Sequence, residues 1–431
     1  MQDLNRVAEQ ALGALKKNGA GKAHVEIGFR EVHELNVEAG RFTLLRTTVD
    51  QGVSMRAITD QKQASLSGNQ FDEAVVGALA EQTVITAKAG APDEAFDIAP
   101  LQAPKKFKSG PEEADLDLMT EQAEKFLGET KIRFPKIILE AVTVQFIQRH
   151  RVIANSNGVH FETSQNDFEY SAMFTAKDGK KTSSFNYTGT STTDFATPMM
   201  KAAGMETLLE QSSAQVNSRS IEGKFVGDVI ITPHCLPTFI GGLTNYLHVG
   251  SLLKGQSVYQ DKLNQQIATK GFNLRARPLD ERFSLPRYVM GDGHLSENID
   301  IVQDGALKTF MLDQYGANKL KKTRAHADDS HHVIDTGDVA LKDMIRSVKR
   351  GLLFCRFSNG SPAANGDVSG VAKNSFYIEN GEIRFPVSEC MVSGNIPQMF
   401  MNIRGISRES LNFGTSELPW MHVGDVTISG K

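Results

Sequence analysis

At about 150 residues per domain, a chain of 431 residues is expected to form two or three domains. Hydrophobic residues make up 40% and charged residues 23%, which excludes a disordered or fibrous chain. The 47 Lys+Arg against 51 Asp+Glu leave a net charge of -4, so there is no general field for a polyanion, and direct nucleic-acid binding is not expected. No apolar run approaches the roughly 20 residues that cross a bilayer, and polar residues interrupt every apolar stretch of residues 1–17. Neither a membrane span nor a signal peptide is expected. Three scattered cysteines, Cys235, Cys355 and Cys390, make no CxxC pair and point to a reducing, cytoplasmic setting with buried structural thiols.

Leu4, Val7, Ala8, Ala11, Leu12 and Leu15 recur at helical steps and predict an amphipathic first helix, ended by a turn over Asn18–Gly21. The period then changes to two through Val25, Ile27, Phe29, Leu35, Val37, Phe42, Leu44, Val53 and Met55, which predicts a meander of short strands. Asn69 followed by Asp72 reads as a helix start. Residues 89–111, rich in Gly, Pro and Lys, read as an exposed connector. A second helix through Leu116, Met119, Ala123 and Phe126 and a strand through Val142, Val144 and Phe146 follow. The Ser/Thr-rich stretch 182–193 suits an exposed edge strand or a substrate-facing loop. Strand 226–232, Pro233 and a helix toward His248 open the second half, and short strands with turns fill the rest. The expectation is an α+β fold with an N-terminal α+β domain, 1–216, and a C-terminal β-rich domain, 217–431.

A helical zinc hydrolase needs two His on one helix face with a Glu beside the first. His33-Glu34 is the only HE pair, and Val37 and Glu38 stand where a second His would fall, so it reads as an incidental surface pair. His248 has no His or carboxylate one turn away and reads as structural. His326, Asp328, Asp329, His331 and His332 gather ligand-type side chains within seven residues, in a polar loop that is either solvated or a weak metal site. No GxxxxGK[ST], strand-borne GxGxxG or GxSxG occurs.

The stretch NGDVSGVAKNSFYIENGEIRFPVSECMVSGN from Asn365 resembles the C-terminal signature of the TldD/PmbA family, long named modulators of DNA gyrase. It is supported by ENIDIVQDGALKTFMLDQYGANKL (297–320), ANSNG (154–158) and VDQGVSMRAITDQKQASLSGN (49–69), which lie in family order along the chain. The resemblance implies a two-domain metallopeptidase-like fold assembled as a homodimer, or as a heterodimer of the two family branches. The TldD-like branch carries zinc on HExxxH, with a Cys near the C-terminus as a further ligand. The TldE/PmbA-like branch lacks the His motif. Here Gly241, Gly242 and Tyr246 stand at the motif positions, and Phe413-Gly414-Thr415 replaces the Cys element.

The resemblance therefore implies a non-catalytic, pseudoenzyme subunit of a cytoplasmic peptidase system acting on unfolded peptides or small proteins. It would carry no cofactor of its own, with zinc expected only in a TldD-like partner. The alternative is an active metallopeptidase with an atypical site from His326, Asp329 and His331. Direct action on gyrase rests on the family name alone. Gly366, Asp367, Ser369, Asn380 and Glu389 are candidates for the substrate cleft, with plain turn chemistry an equal reading.

Overall fold

Asp3 caps the first helix by accepting hydrogen bonds from the backbone N–H groups of Asn5 and Arg6, and α1 (Leu4–Lys17) buries Leu4, Val7, Ala8, Ala11 and Leu15 along one face. The chain is described here by a computed structural model covering residues 3–359 and 361–430. Strands β1 (Lys22–Glu38) and β2 (Arg41–Thr59) form one long antiparallel hairpin, with a bulge after Asn36. The predicted meander of short strands is thus two long ones. The punctuating Gly28 and Gly52 sit opposite each other inside the ladder, and the turn falls at Ala39-Gly40, both at positive φ (47° and 73°), as a two-residue hairpin demands.

β3 (Lys62–Gly68) extends this sheet and α2 (Glu73–Ala89) covers it, starting after Asp72. β4 (Lys105–Ser109), α3 (Leu116–Arg133), β5 (Ile137–Asn155), β6 (His160–Asp178), β7 (Lys181–Thr182), β8 (Asn186–Thr192) and α4 (Met205–Gln215) complete the first half. The strand order is β3-β2-β1-β5-β6-β4, with β7 and β8 also on β6, and β4 runs parallel to β6. Helices cover one face of the sheet through Val25, Ile27, Leu35, Val37, Val144 and Phe146. The other face is mixed, with Ile153 and Phe161 packed against Val289 of the second half and polar side chains elsewhere. There Glu34 is buried, so His33-Glu34 is no surface pair: Glu34 accepts from Asn36 and Gln145 and pairs with Arg46, while His33 turns to Glu31.

The second half is a 13-stranded sheet around the strand Glu417–Ser429, flanked by β9 (Lys224–Ile231), Ile403–Asn412 and Cys390–Asn395. Its core gathers Val229, Ile231, Leu236, Phe239, Phe354, Met421 and Ile428. The segment 89–111 is not an exposed connector. Asp93 pairs with Lys319 at 2.7 Å, Ala95 accepts from Asn318, Phe107 stacks on Tyr288 at 4.5 Å, and Ala95, Ile98 and Ala99 are buried. Its prolines hold it extended against the second half, where its carbonyls find partners that a solvated linker would leave to water. No helix among the described residues is long and apolar enough to cross a membrane.

Candidate functional site

The helix that follows Pro233, α5 (Leu236–Thr244), runs into a 3₁₀ turn and then α6 (Val249–Leu253), and this stretch carries all three motif positions. Gly241 faces open space, with nothing within 4 Å of where a Cβ would stand. Gly242 packs against Ile396 and Pro362. Tyr246 points into the core, edge-on to Tyr259, and its hydroxyl donates to the Ala363 carbonyl at 2.6 Å. The three positions therefore offer one phenol, already committed to a carbonyl, and no imidazole or carboxylate. Near the C-terminus the Phe413 ring lies edge-on to His234, and a Cβ at Gly414 would run into the Ser191 carbonyl. These residues do not fit a zinc ion, which needs nitrogen, sulfur or carboxylate donors. Tyr246→Phe is expected to cost about 1 kcal/mol, since it leaves the Ala363 carbonyl without its donor; thermal melting checks it.

His326, Asp329 and His331 are not brought together as a donor set. His326 meets Glu297 at 3.1 Å, and His331 bonds the Leu285 carbonyl and the Ser330 hydroxyl. Among the described residues no group of three or more His, Cys, Asp or Glu is placed to hold a metal ion. Asp329 instead sits between His248 Nε2 (3.0 Å), His332 Nε2 (2.8 Å) and the Thr244 hydroxyl (2.8 Å). His248 is thus not the isolated helix-end imidazole that its neighbours in sequence suggest. Burial works against the Asp329 charge, yet the hydrogen bonds from His248, His332 and Thr244 hold its carboxyl well below the usual carboxylate range. The bond to Asp329 in turn raises His248 above the ordinary imidazole value. The cluster ties the end of α5 and the start of α6 to the loop before the strand His332–Ile334.

The five cleft candidates separate into three places. Gly366, at φ +94°, opens the strand Asp367–Lys373, and a Cβ there would meet Pro397 at 2.7 Å. Asp367 accepts from Asn365 and Asn395, and the Ser369 hydroxyl meets that of Ser393 at 2.8 Å. This group lies beside Tyr246, whose hydroxyl proton is held more tightly through burial and the nearby Asp367 charge. Asn380, with Gly381, forms the tight turn between strands Phe376–Glu379 and Glu382–Pro386, both residues at positive φ. Glu389 pairs with Lys373 at the far end of the Asp367 strand, about 20 Å along it at 3.3 Å per residue. Only Gly366, Asp367 and Ser369 adjoin the degenerate motif. The cysteines are buried; burial raises the Cys235 and Cys355 thiols and pushes Cys390 up to about 11, so none is a ready nucleophile.

The predicted edge strand is the seam between the halves. Along and beside β8, the Phe185 carbonyl accepts from Arg356 and Asn374, the Thr188 hydroxyl meets His234, and the Ser191 hydroxyl meets Ser284 at 2.7 Å. His234 is buried, which lowers it to about 4, so it stays neutral and donates from Nε2 to the Ala203 carbonyl. Two grooves flank the seam and share Tyr170, Thr190 and Ser191. One, of about 460 Å³, runs along Thr192, Arg282, Phe283 and Asn412. The other, of about 320 Å³, is walled by Gln145, Glu169, Leu285, Phe413 and Thr415. Both are lined by hydroxyls, and the segment Phe413-Gly414-Thr415 borders both.

Residues 223–430 match the family model described as the PmbA/TldA metallopeptidase C-terminal domain. The second half of the chain is thus a PmbA/TldD-family domain. A protein named metalloprotease PmbA from Escherichia coli O157:H7 is 29% identical over 205 residues, and the match spans 45% of each chain, less than half the length of that relative. A metalloprotease PmbA homologue from Haemophilus influenzae is 22% identical over 429 residues, 94% of this chain and 91% of the other. Among solved structures, TldE from Thermococcus kodakarensis superposes with a TM-score of 0.84 at 18% identity, covering 98% of this chain and 100% of that one. A protein from Bacteroides thetaiotaomicron, described as a candidate modulator of DNA gyrase, gives 0.87 at 22% identity, with 99% of each chain covered. These likenesses establish the two-domain α+β architecture.

Proposed function

We propose that this protein is the non-catalytic, TldE/PmbA-like subunit of a cytoplasmic peptidase complex, holding unfolded peptide beside a TldD-like partner that supplies the zinc. The observation that carries the reading is the chemistry at the motif positions: two glycines, a tyrosine hydroxyl spent on the Ala363 carbonyl, and a phenylalanine packed on His234. Without imidazoles and a general base, the family's water-activating step has no residues here to perform it. What the chain retains is a pair of grooves rich in Ser and Thr hydroxyls, of about 460 and 320 Å³, and such groups can hydrogen-bond the backbone of an extended peptide whatever its side chains. Regulation of gyrase or direct DNA binding draws no support from a net charge of -4.

The test is elemental analysis and peptidase assay of the purified chain, alone and with a TldD-like partner. The expected result is no stoichiometric zinc and no chelator-sensitive cleavage by the chain alone, with cleavage of an unfolded peptide by the pair. Stoichiometric zinc in the isolated chain, lost in His326→Ala/His331→Ala, would overturn the reading in favour of an atypical metallopeptidase.

A further inference from the structure

We infer that the floor of the smaller groove, formed by Thr143, Gln145, Glu169 and Ser171, is a subsite for the terminal ammonium group of a peptide. The inference rests on the reading above that this chain holds peptide, and it adds which end of the peptide lies where. Thr143 and Gln145 lie on β5, Glu169 and Ser171 on β6, and the ladder pairs Gln145 with Glu169 and Thr143 with Ser171. Side chains alternate along a strand, so all four stand on the face away from Val144, Phe146, Phe168 and Tyr170, which belong to the helix-covered core. Facing pairs lie about 5 Å apart and same-face neighbours about 7 Å, so the four frame a patch sized for one small polar group.

What that patch offers is acceptors. Gln145 donates its amide N–H to Glu34, which turns its amide oxygen away from Glu34 and leaves it without a partner among the described residues. Glu169 gives Oε1 to Arg149 Nη2 at 2.6 Å, and its Oε2 is unpaired among the described residues. The Arg149 guanidinium is shared with the fully buried Asp167, whose Oδ2 also has no partner, so one cation serves two carboxylates and negative charge remains at the groove. Thr143 and Ser171 add two hydroxyl oxygens, and among the described residues no lysine, arginine or histidine lines the groove. A primary ammonium carries three donors and no acceptor, and it is the group these atoms complement. The walls select its source. Leu285 and Phe413 wall the same groove, and in an amino-terminal residue the side chain branches from the carbon that bears the ammonium. An apolar first side chain therefore packs on Leu285 and Phe413 while the ammonium sits on the floor. Thr190 and Ser191 border both grooves, so the chain leads over them from its amino terminus in the smaller groove into the larger one.

Fluorescence anisotropy tests this with an unstructured peptide that begins with leucine, contains no lysine and carries a dye at its carboxyl end, titrated with the full chain alone and in the pair with a TldD-like partner. Acetylating the amino terminus is expected to weaken binding by a factor on the order of ten. Glu169→Gln is expected to weaken binding of the free-amine peptide by a similar factor and to leave the acetylated peptide unchanged, the non-additivity of two groups in contact. Because Glu169→Gln also releases Arg149, Ser171→Lys is the second variant. Ser171 is exposed, so melting is expected to stay the same while the new ammonium occupies the floor and excludes the free-amine peptide. An acetylated peptide with lysine in second place that binds as tightly as the free amine would overturn the terminal assignment in favour of a side-chain ammonium. Equal affinity of the free and acetylated peptides for the wild type, or an acetylation cost undiminished in Glu169→Gln, overturns the subsite and leaves the peptide-holding reading standing. Binding of neither peptide, alone or in the pair, overturns that reading and the subsite with it.

Discussion

Replacing Asp329 with alanine is expected to destabilise the protein by about 3 kcal/mol, the sum of charge-assisted hydrogen bonds from two imidazoles and a hydroxyl that lose their common acceptor. Thr244 is fully buried, so its hydroxyl cannot turn to water once the carboxylate is gone. Asp329→Asn keeps the shape and one acceptor oxygen but not the charge, and is expected to cost less. The pH dependence separates the charge from the packing. The folded protein holds His248 above its ordinary value, so its contribution is complete below about pH 6.5 and is lost as pH rises through the raised value. Asp329 is held below the usual range, so its contribution is present above about pH 4 and is lost only in stronger acid. The difference in melting temperature between wild type and Asp329→Asn is therefore expected to be largest near pH 5 to 6 and to shrink toward pH 8. A difference independent of pH over that range would show that Asp329 acts only by filling space.

That cluster also marks where the sequence stops being informative. Local periodicity is enough to find α1, because Val7, Ala8, Ala11 and Leu15 lie on one helical face within a few turns. The same alternation locates β1 and β2 but not their lengths, since Gly28 and Gly52 look like punctuation until the register sets them opposite each other. His248 and Asp329 are 81 residues apart, and nothing in the neighbourhood of either announces the other. The density of ligand-type side chains from His326 to His332 did flag a polar centre, but the grouping within it was misread. Backbone geometry turns His326 toward Glu297 and His331 toward Leu285, leaving Asp329 and His332 to share a site with a helix from much earlier in the chain. Segment 89–111 misled for the same reason. Proline and glycine report the local backbone, and a long extended segment has that composition whether water or another domain covers it. That Gly241, Gly242 and Tyr246 bring no metal ligand, by contrast, is legible in the sequence, because it is a matter of which atoms are present. No arrangement of Gly241, Gly242 and Tyr246 supplies an imidazole.

Filling the groove beside β8 is expected to abolish the chain's support of peptide cleavage in a complex with a TldD-like subunit. Thr190 borders both grooves, is half-buried, and bonds only the neighbouring Ser191 carbonyl, so Thr190→Trp can place a large ring across the shared wall without removing a core side chain. Thr190→Ser, which keeps the hydroxyl, is the matched control. If extended peptide lies in these grooves, the tryptophan variant should lose nearly all stimulated cleavage while retaining its melting temperature and its binding to the partner. The loss should appear mainly as raised KM at low substrate, because the residue is placed to contact peptide and not to carry out the chemistry. A parallel comparison at Asp367, beside the degenerate motif and outside the grooves, locates the peptide more closely: Asp367→Ala should weaken cleavage only if the path continues past Tyr246 toward Asn395. Full activity of Thr190→Trp with the partner bound would place substrate elsewhere and remove the seam between the halves from the mechanism, leaving the Ser/Thr lining as the side chains that hold β8 against the second half.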